Sequence, residues 1–214
     1  MSEKIRITFL FDKKNDYKKK YFDIFKNNKK YIFKKIYDYK NLKKCDVLFL
    51  ISFTKILPLK YFRKVNLTLV IHESNLPSGR GCSPVMWEIL ENKKLIYISI
   101  LELKEKADTG RILLKDKFYI NPTDLYDEIR DKQSQSNIKI VKKFLKIYPK
   151  IKFKPQIGIP TYYRYRSIRD SELNINKTIK SQFNLMRINN NKSWPSFFYI
   201  NGKKFFLKIY KDKD

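Results

Sequence analysis

The feature that most constrains this chain is a series of short, nearly unbroken apolar runs. Residues 5–11, 47–51, 67–71 and 95–103 are each of strand length and alternate little between apolar and polar. A strand reads this way when both of its faces are covered, as in a parallel sheet flanked by helices. Residues 31–37 are expected to add a further strand. Between the strands, residues 16–26 carry Tyr17, Tyr21, Phe22 and Phe25 at a helical spacing of three and four. Residues 83–92 read as a helix with Ser83 as N-cap, Pro84 at the first helical position, and an apolar stripe of Met86, Trp87, Ile89 and Leu90. Residues 121–148 open with Asn-Pro-Thr-Asp, a helix-start pattern, and a break is expected at the polar stretch 133–136. Alternating strands and helices predict an α/β fold: a Rossmann-like, mostly parallel sheet with helices on both faces.

A chain of 214 residues with 43% hydrophobic and 15% aromatic side chains can bury one substantial core but not two full domains. Pro155 and Pro160 bracket a change in character. The division expected is 1–155 for the main domain and 156–214 for a small C-terminal extension. Within the extension, residues 197–210 read as a β-hairpin turning at Asn201-Gly202. Two strands alone are marginal in water, so the hairpin should pack on the main body or on a second copy of the chain, making a homodimer. No run approaches the roughly 20 apolar residues of a membrane span. The first residues show no secretory pattern, and a cytoplasmic protein is expected. Cys45 and Cys82 form neither a metal-ligand pair nor a disulfide framework, and no metal-ligand cluster is visible. The formal charge of +27 suits polyanions, but its lysines are spread along the whole length. That distribution favours compositional drift and non-specific nucleic-acid contact over a dedicated surface. The field would still attract anionic substrates.

In open α/β sheets ligands bind beyond the carboxyl ends of the strands. The run 67–71 ends at His72, the chain's only histidine, and continues as Glu-Ser-Asn-Leu-Pro-Ser-Gly-Arg-Gly-Cys-Ser-Pro. Gly79 and Gly81 flank Arg80, so the backbone can bend sharply and let a ligand approach. The run 95–103 leads into Lys106-Ala107-Asp108-Thr109-Gly110. Taken singly, His72 reads as a structural hydrogen-bonding residue and Asp108 as a turn former. Together, at the ends of neighbouring strands, they form a pair able to move a proton from an incoming amine.

His72-x-Ser74-x-Leu76-Pro77-x-x-Arg80-Gly81, a helix starting at Ser83-Pro84, and the later Asp108-x-Gly110 resemble the folate-dependent formyltransferases. This family includes glycinamide ribonucleotide transformylase, methionyl-tRNA formyltransferase and the sugar N-formyltransferases. The segment Ile56-Leu57-Pro58 is similar to the family's folate-contacting stretch. Thr161-Tyr162-Tyr163-Arg164-Tyr165-Arg166 with Asp170-Ser171 resembles the sugar-modifying branch. The resemblance implies catalytic roles for His72 and Asp108, and formyl-tetrahydrofolate as donor, contacting Ile56, Leu57, Pro58 and Asp108. It further implies an acceptor near Ser74, Arg80 and Gly81 that is a nucleotide-linked amino sugar. Methionyl-tRNA is the alternative acceptor suggested by the charge, and an inactive polyanion-binding relative is the third reading. The family sets an Asn two residues before the histidine; Val70 stands there, and Asn75, three residues after the histidine, is the candidate substitute amide.

Overall fold

The structure, a computed structural model, describes residues 4–13, 20–25, 28–55 and 57–212. Six strands form the main sheet: β1 (Ile5–Phe11), β2 (Tyr31–Ile36), β3 (Cys45–Ile51), β4 (Val65–His72), β6 (Leu95–Glu102) and β7 (Ile112–Tyr119). Their order is β2-β1-β3-β4-β6-β7. The first four run parallel, and β6 and β7 are antiparallel additions. A two-residue strand, β5 (Arg80–Gly81), lies outside this sheet and pairs in parallel with β8 (Tyr162–Tyr163). Among the described residues the α-helices are α1 (Pro84–Leu90), α2 (Tyr126–Ile147) and α3 (Ile179–Arg187).

The unbroken apolar character of β3 has the expected cause. Val47, Phe49 and Ile51 pack into one cluster with Ile140, Val141 and Phe144 of α2. Leu48 and Leu50 point the other way, toward Leu10, Leu57 and Tyr61. Removing both sets of side chains from water supplies most of the drive for the fold. On the edge beyond β6, α1 buries Val85, Met86 and Ile89 against Ile96 and Ile120. The α/β sheet with helices and an appended hairpin therefore forms as the apolar pattern predicts. No helix among the described residues is long and apolar enough to cross a membrane.

Several local expectations change. Of the helix expected over residues 16–26, residues 16–19 and 26 lie outside the described residues, and Lys20–Phe25 forms a 3-10 helix that buries Phe22 and Phe25 against Phe9. Ser83 does not cap α1: its φ of 53° puts it in the left-handed region, and its side chain makes no capping bond. An N-cap needs extended backbone to aim its hydroxyl at the first turn. The Asn-Pro-Thr-Asp stretch is a turn in which the Asp124 carboxylate accepts from the Asn121 N–H at 2.7 Å, and α2 begins only at Tyr126. Glu128 reaches back to the Leu125 N–H at 2.7 Å, closing that first turn. The polar stretch 133–136 causes no break. Ser134 donates back to the Arg130 carbonyl at 2.8 Å, which absorbs its hydroxyl inside a continuous helix.

The C-terminal hairpin is β9 (Ser196–Ile200) and β10 (Lys203–Leu207). Asn201 and Gly202 have φ of 49° and 76°, the doubly left-handed loop this dipeptide favours. Its base is anchored within the chain: Phe197 is buried and its carbonyl accepts from the Leu173 N–H at 2.7 Å.

Candidate active site

The carboxyl end of β4 delivers His72 into a nearly closed environment. Its register sets His72 beside Ser99 of β6, and Ser99 lies beside Lys115 of β7. Ser99 donates its hydroxyl to the Ser74 carbonyl at 3.1 Å, tying the turn after His72 down to β6. The His72 Nδ1 lies 3.4 Å from Asp108 Oδ1, with side-chain exposures of only 8% and 11%. The ring's other nitrogen, Nε2, lies 2.8 Å from the Gly79 carbonyl. A carbonyl oxygen only accepts, so Nε2 carries a hydrogen. Nδ1 faces the Asp108 carboxylate oxygen across this 3.4 Å gap.

Asp108 is held with equal definition. It sits at φ 57°, a left-handed position that aspartate tolerates better than most residues. Its Oδ2 accepts from the Gly81 N–H at 2.9 Å. The peptide 79–81 thus touches both members of the pair, one through a carbonyl and one through an N–H. Both glycines are required there. Gly81 has φ 98°, and a Cβ on it would stand 2.3 Å from the Tyr163 carbonyl oxygen. Just past Asp108, a Cβ on Gly110 would stand 1.7 Å from the Glu102 carbonyl oxygen, so only glycine lets the loop lie against the end of β6.

The other residues singled out by sequence are distributed unevenly. Ser74 is fully buried, and among the described residues its hydroxyl has no partner. Arg80 donates to the Gln156 side-chain oxygen at 2.6 Å and to the Tyr162 hydroxyl at 3.0 Å. Leu57 is buried in the core cluster beneath β3, and the Pro58 carbonyl accepts from the Tyr61 N–H. Ile56 lies outside the described residues. Val70 is apolar and packs beside Leu76 and Leu101, and no side-chain amide stands in its place. Asn75 is exposed, with its amide oxygen held by the Lys115 ammonium at 2.8 Å. Partial burial and the neighbouring Asp108 carboxylate push the Cys82 thiol upward, which argues against a thiolate nucleophile.

Two participants escaped the sequence reading. Glu88 of α1 is 3% exposed, and burial pushes its carboxyl up to about 7, with Lys93 only partly opposing. The second is Gln156, which, with the run from Thr161 already noted in the sequence, lays the segment after Pro155 across the site. Gln156 donates to the carbonyls of Asp108 and Gly110, both at 2.8 Å, and Thr161 Oγ1 accepts from the Gly79 N–H at 2.8 Å. The Tyr163 ring stacks on Trp87 of α1, 6.1 Å between centroids. Its hydroxyl donates to Glu91 at 2.7 Å, and burial followed by this bond pushes the phenol up to about 12. The ladder between β5 and β8 leaves no signal in the sequence beyond the aromatic-basic run that begins at Tyr162.

The fold agrees with comparisons against known proteins. The model of the Formyl transferase family matches residues 3–145. The chain belongs to that family. A methionyl-tRNA formyltransferase from Thermodesulfovibrio yellowstonii is 30% identical over 127 residues, which is 58% of this chain and 41% of that protein. The chain therefore spans under half the length of that curated relative. Among solved structures, the methionyl-tRNA formyltransferase of Clostridium thermocellum is similar over 98% of this chain and 94% of its own, at TM-score 0.82 and 21% identity. A sugar N-formyltransferase from a Shewanella species is similar over 98% and 99%, at TM-score 0.72 and 15% identity.

Proposed function

We propose that this chain transfers a formyl group from formyl-tetrahydrofolate to the amine of a nucleotide-linked amino sugar. The observation that carries this reading is the buried His72–Asp108 pair, 3.4 Å apart at the carboxyl ends of the strands. The donor set fits the chemistry: a ring N–H suits a carbonyl oxygen gaining negative charge, and a carboxylate suits an amine losing a proton. The amine nitrogen would bond to the formyl carbon while the carbonyl electron pair moves onto oxygen. Asp108, directly or through one water, would take the proton released by the amine. The His72 N–H would stabilise the oxyanion. Because Nε2 already donates to the Gly79 carbonyl, the oxyanion must share or displace that partner. The intermediate then collapses, the bond to the donor nitrogen breaks, and that nitrogen takes a proton.

In this reading residues 1–155 carry the catalysis and 156–214 extend the acceptor side. Ile56, Leu57, Pro58 and the Asp108 loop would meet the donor, and Ser74, Arg80 and Gly81 the acceptor. Support for the sugar nucleotide comes from the end-to-end likeness to a sugar N-formyltransferase, over 98% of this chain and 99% of that one. The methionyl-tRNA formyltransferases among its relatives and the charge of +27 favour a second reading, with aminoacylated tRNA as acceptor. Incubation with formyl-tetrahydrofolate and a panel of nucleotide-linked amino sugars, read by mass spectrometry, should yield a formylated product. Formylation of methionyl-tRNA alone would replace the sugar by tRNA. Absence of turnover with every acceptor would overturn the reaction.

A further inference from the structure

The region matched by the family model ends at residue 145, yet the His72–Asp108 pair is held from beyond it. Gln156 is the centre of that hold. Its two amide hydrogens go to the carbonyls of Asp108 and Gly110, each at 2.8 Å, so it grips the turn on both sides of the left-handed Asp108 backbone. Its oxygen accepts from Arg80 Nη2 at 2.6 Å. One side chain therefore binds the Asp108 turn to the peptide 79–81, whose Gly79 carbonyl meets His72 Nε2 and whose Gly81 N–H meets Asp108 Oδ2. Thr161 secures the other face of this peptide, accepting the Gly79 N–H on its hydroxyl and the Arg80 N–H on its carbonyl at 2.9 Å.

We infer that Gln156 is a positioning residue for the His72–Asp108 pair, and that the segment from Gln156 to Thr161 completes the site from outside the family core. Apart from Gln156, that turn is held by the Gly81 N–H on Asp108 Oδ2 and by Gly110 lying against the Glu102 backbone. Asp108 is left-handed, Thr109 donates only to the local Lys106 carbonyl, and Gly110 has no side chain to pack. Without the amide donors, two carbonyls of that turn lose their partners and the turn relaxes toward solvent, carrying the carboxylate away from Nδ1. A shift of about an ångström at such a pair costs on the order of 100-fold in rate.

As far as turnover is concerned, the inference rests on the proposed formyl transfer. A second readout does not, because His72 is the chain's only histidine and its ring nitrogens give a single set of NMR signals. Gln156→Glu keeps the size and strengthens the contact with Arg80, but removes both donors. Gln156→Met keeps the length and removes all polar contacts. Both variants should lower kcat by about 10-fold to 100-fold with KM for the acceptor changed by less than about threefold. Both should also move the His72 ring nitrogen shifts toward those of Asp108→Asn, with thermal unfolding of Gln156→Glu near that of the unaltered protein. If Gln156 only fastened the segment to Arg80, Gln156→Glu would retain rate and wild-type ring signals, which would overturn the inference. Unmoved ring signals in both variants would also overturn it, whether or not formyl transfer is the reaction. Moved ring signals in a protein that formylates nothing would uphold the positioning role and reject the reaction alone.

Discussion

The loop from His72 to Cys82 and the hairpin β9–β10 are opposites. The loop has almost no regular structure, yet most of it is buried, and its peptide groups are met by named partners: Gly79 by His72 and Thr161, Arg80 by Thr161, Gly81 by Asp108, Cys82 by the Tyr163 carbonyl. The hairpin is fully regular, yet Tyr199, Ile200, Phe205 and Phe206 are each more than two-fifths exposed. Repetition of backbone geometry therefore does not decide which region is tightly specified. The number of positions that admit only one residue does. In the loop, a side chain at Gly81 would collide with backbone at 2.3 Å; at Gly202 in the hairpin turn, nothing lies within 4 Å. The loop should accordingly respond steeply to small changes and the hairpin weakly.

The steepest response is expected at the pair itself. Asp108→Asn keeps the size and the turn-forming character but removes the charge facing His72, and turnover should fall by about 100-fold or more. Calorimetry should find nucleotide binding largely kept, since acceptor recognition would lie elsewhere. Turnover near normal would make Asp108 a turn residue and dissolve the contrast. Next comes Gly110→Ala. Its Cβ would stand 1.7 Å from the Glu102 backbone oxygen, which cannot move without disturbing β6, so unfolding free energy should drop by about 3 kcal/mol. A chemical denaturation midpoint matching the unaltered protein would mean that the loop end is far softer than its contacts imply.

The same contrast explains what could be read from sequence. Strands β1 and β3 were legible because burial on both faces leaves unbroken apolar runs, and the hairpin was legible because Asn201-Gly202 needs no tertiary partner to adopt its turn. Strand β7 was not, since at the sheet edge it carries Lys115, Asp116 and Lys117 amid its apolar residues and resembles a loop. Helix α3 was missed because its nine residues bury only Met186 and Arg187. In the site, His72 and Asp108 were visible as chemistry at strand ends. Gln156 was not, because a glutamine after a proline carries no local signal; its meaning lies in carbonyls of residues 108 and 110. Glu88 hid in the stripe of α1, where a charged residue reads as solvent-facing although it is 3% exposed.

Glu88 supplies an intermediate effect with a defined sign. Its carboxyl is raised from 4.5 to about 7, mainly by burial. The folded state therefore holds a proton that the unfolded state releases at lower pH. The associated stability is fully present below pH 4.5 and is lost as pH rises from 4.5 through about 7. The loss is on the order of 3 kcal/mol. Glu88→Gln, neutral at every pH, should flatten this slope and be the more stable protein at pH 8 by about 2 kcal/mol, part of the gain being offset by the lost contact with Lys93. Thermal unfolding at several pH values between 4.5 and 8 tests this. Parallel curves for the two proteins would mean that Glu88 is ionised and well paired, and that burial around α1 is weaker than it looks.

The smallest effect is expected on the hairpin, at Phe206. It lies opposite Phe197 across the ladder and is 58% exposed, with the Lys204 ammonium 5.2 Å from its ring centre. Phe206→Ser removes one partly solvated ring and its contact with the Lys204 ammonium, changes worth about 0.5 kcal/mol in an exposed two-stranded ribbon. The buried anchor on the same ladder, Phe197 at 2% exposure, is untouched, so the hairpin should stay docked through its bond to Leu173. Light scattering should give the same mass for both proteins, and unfolding midpoints should agree at low and high protein concentration. A loss above about 2 kcal/mol, beyond the usual range for a surface position, would give a different result if it grew with concentration. A second copy of the chain would then cover Tyr199, Ile200, Phe205 and Phe206, and the hairpin would be as tightly specified as the loop, by a partner in place of its own chain.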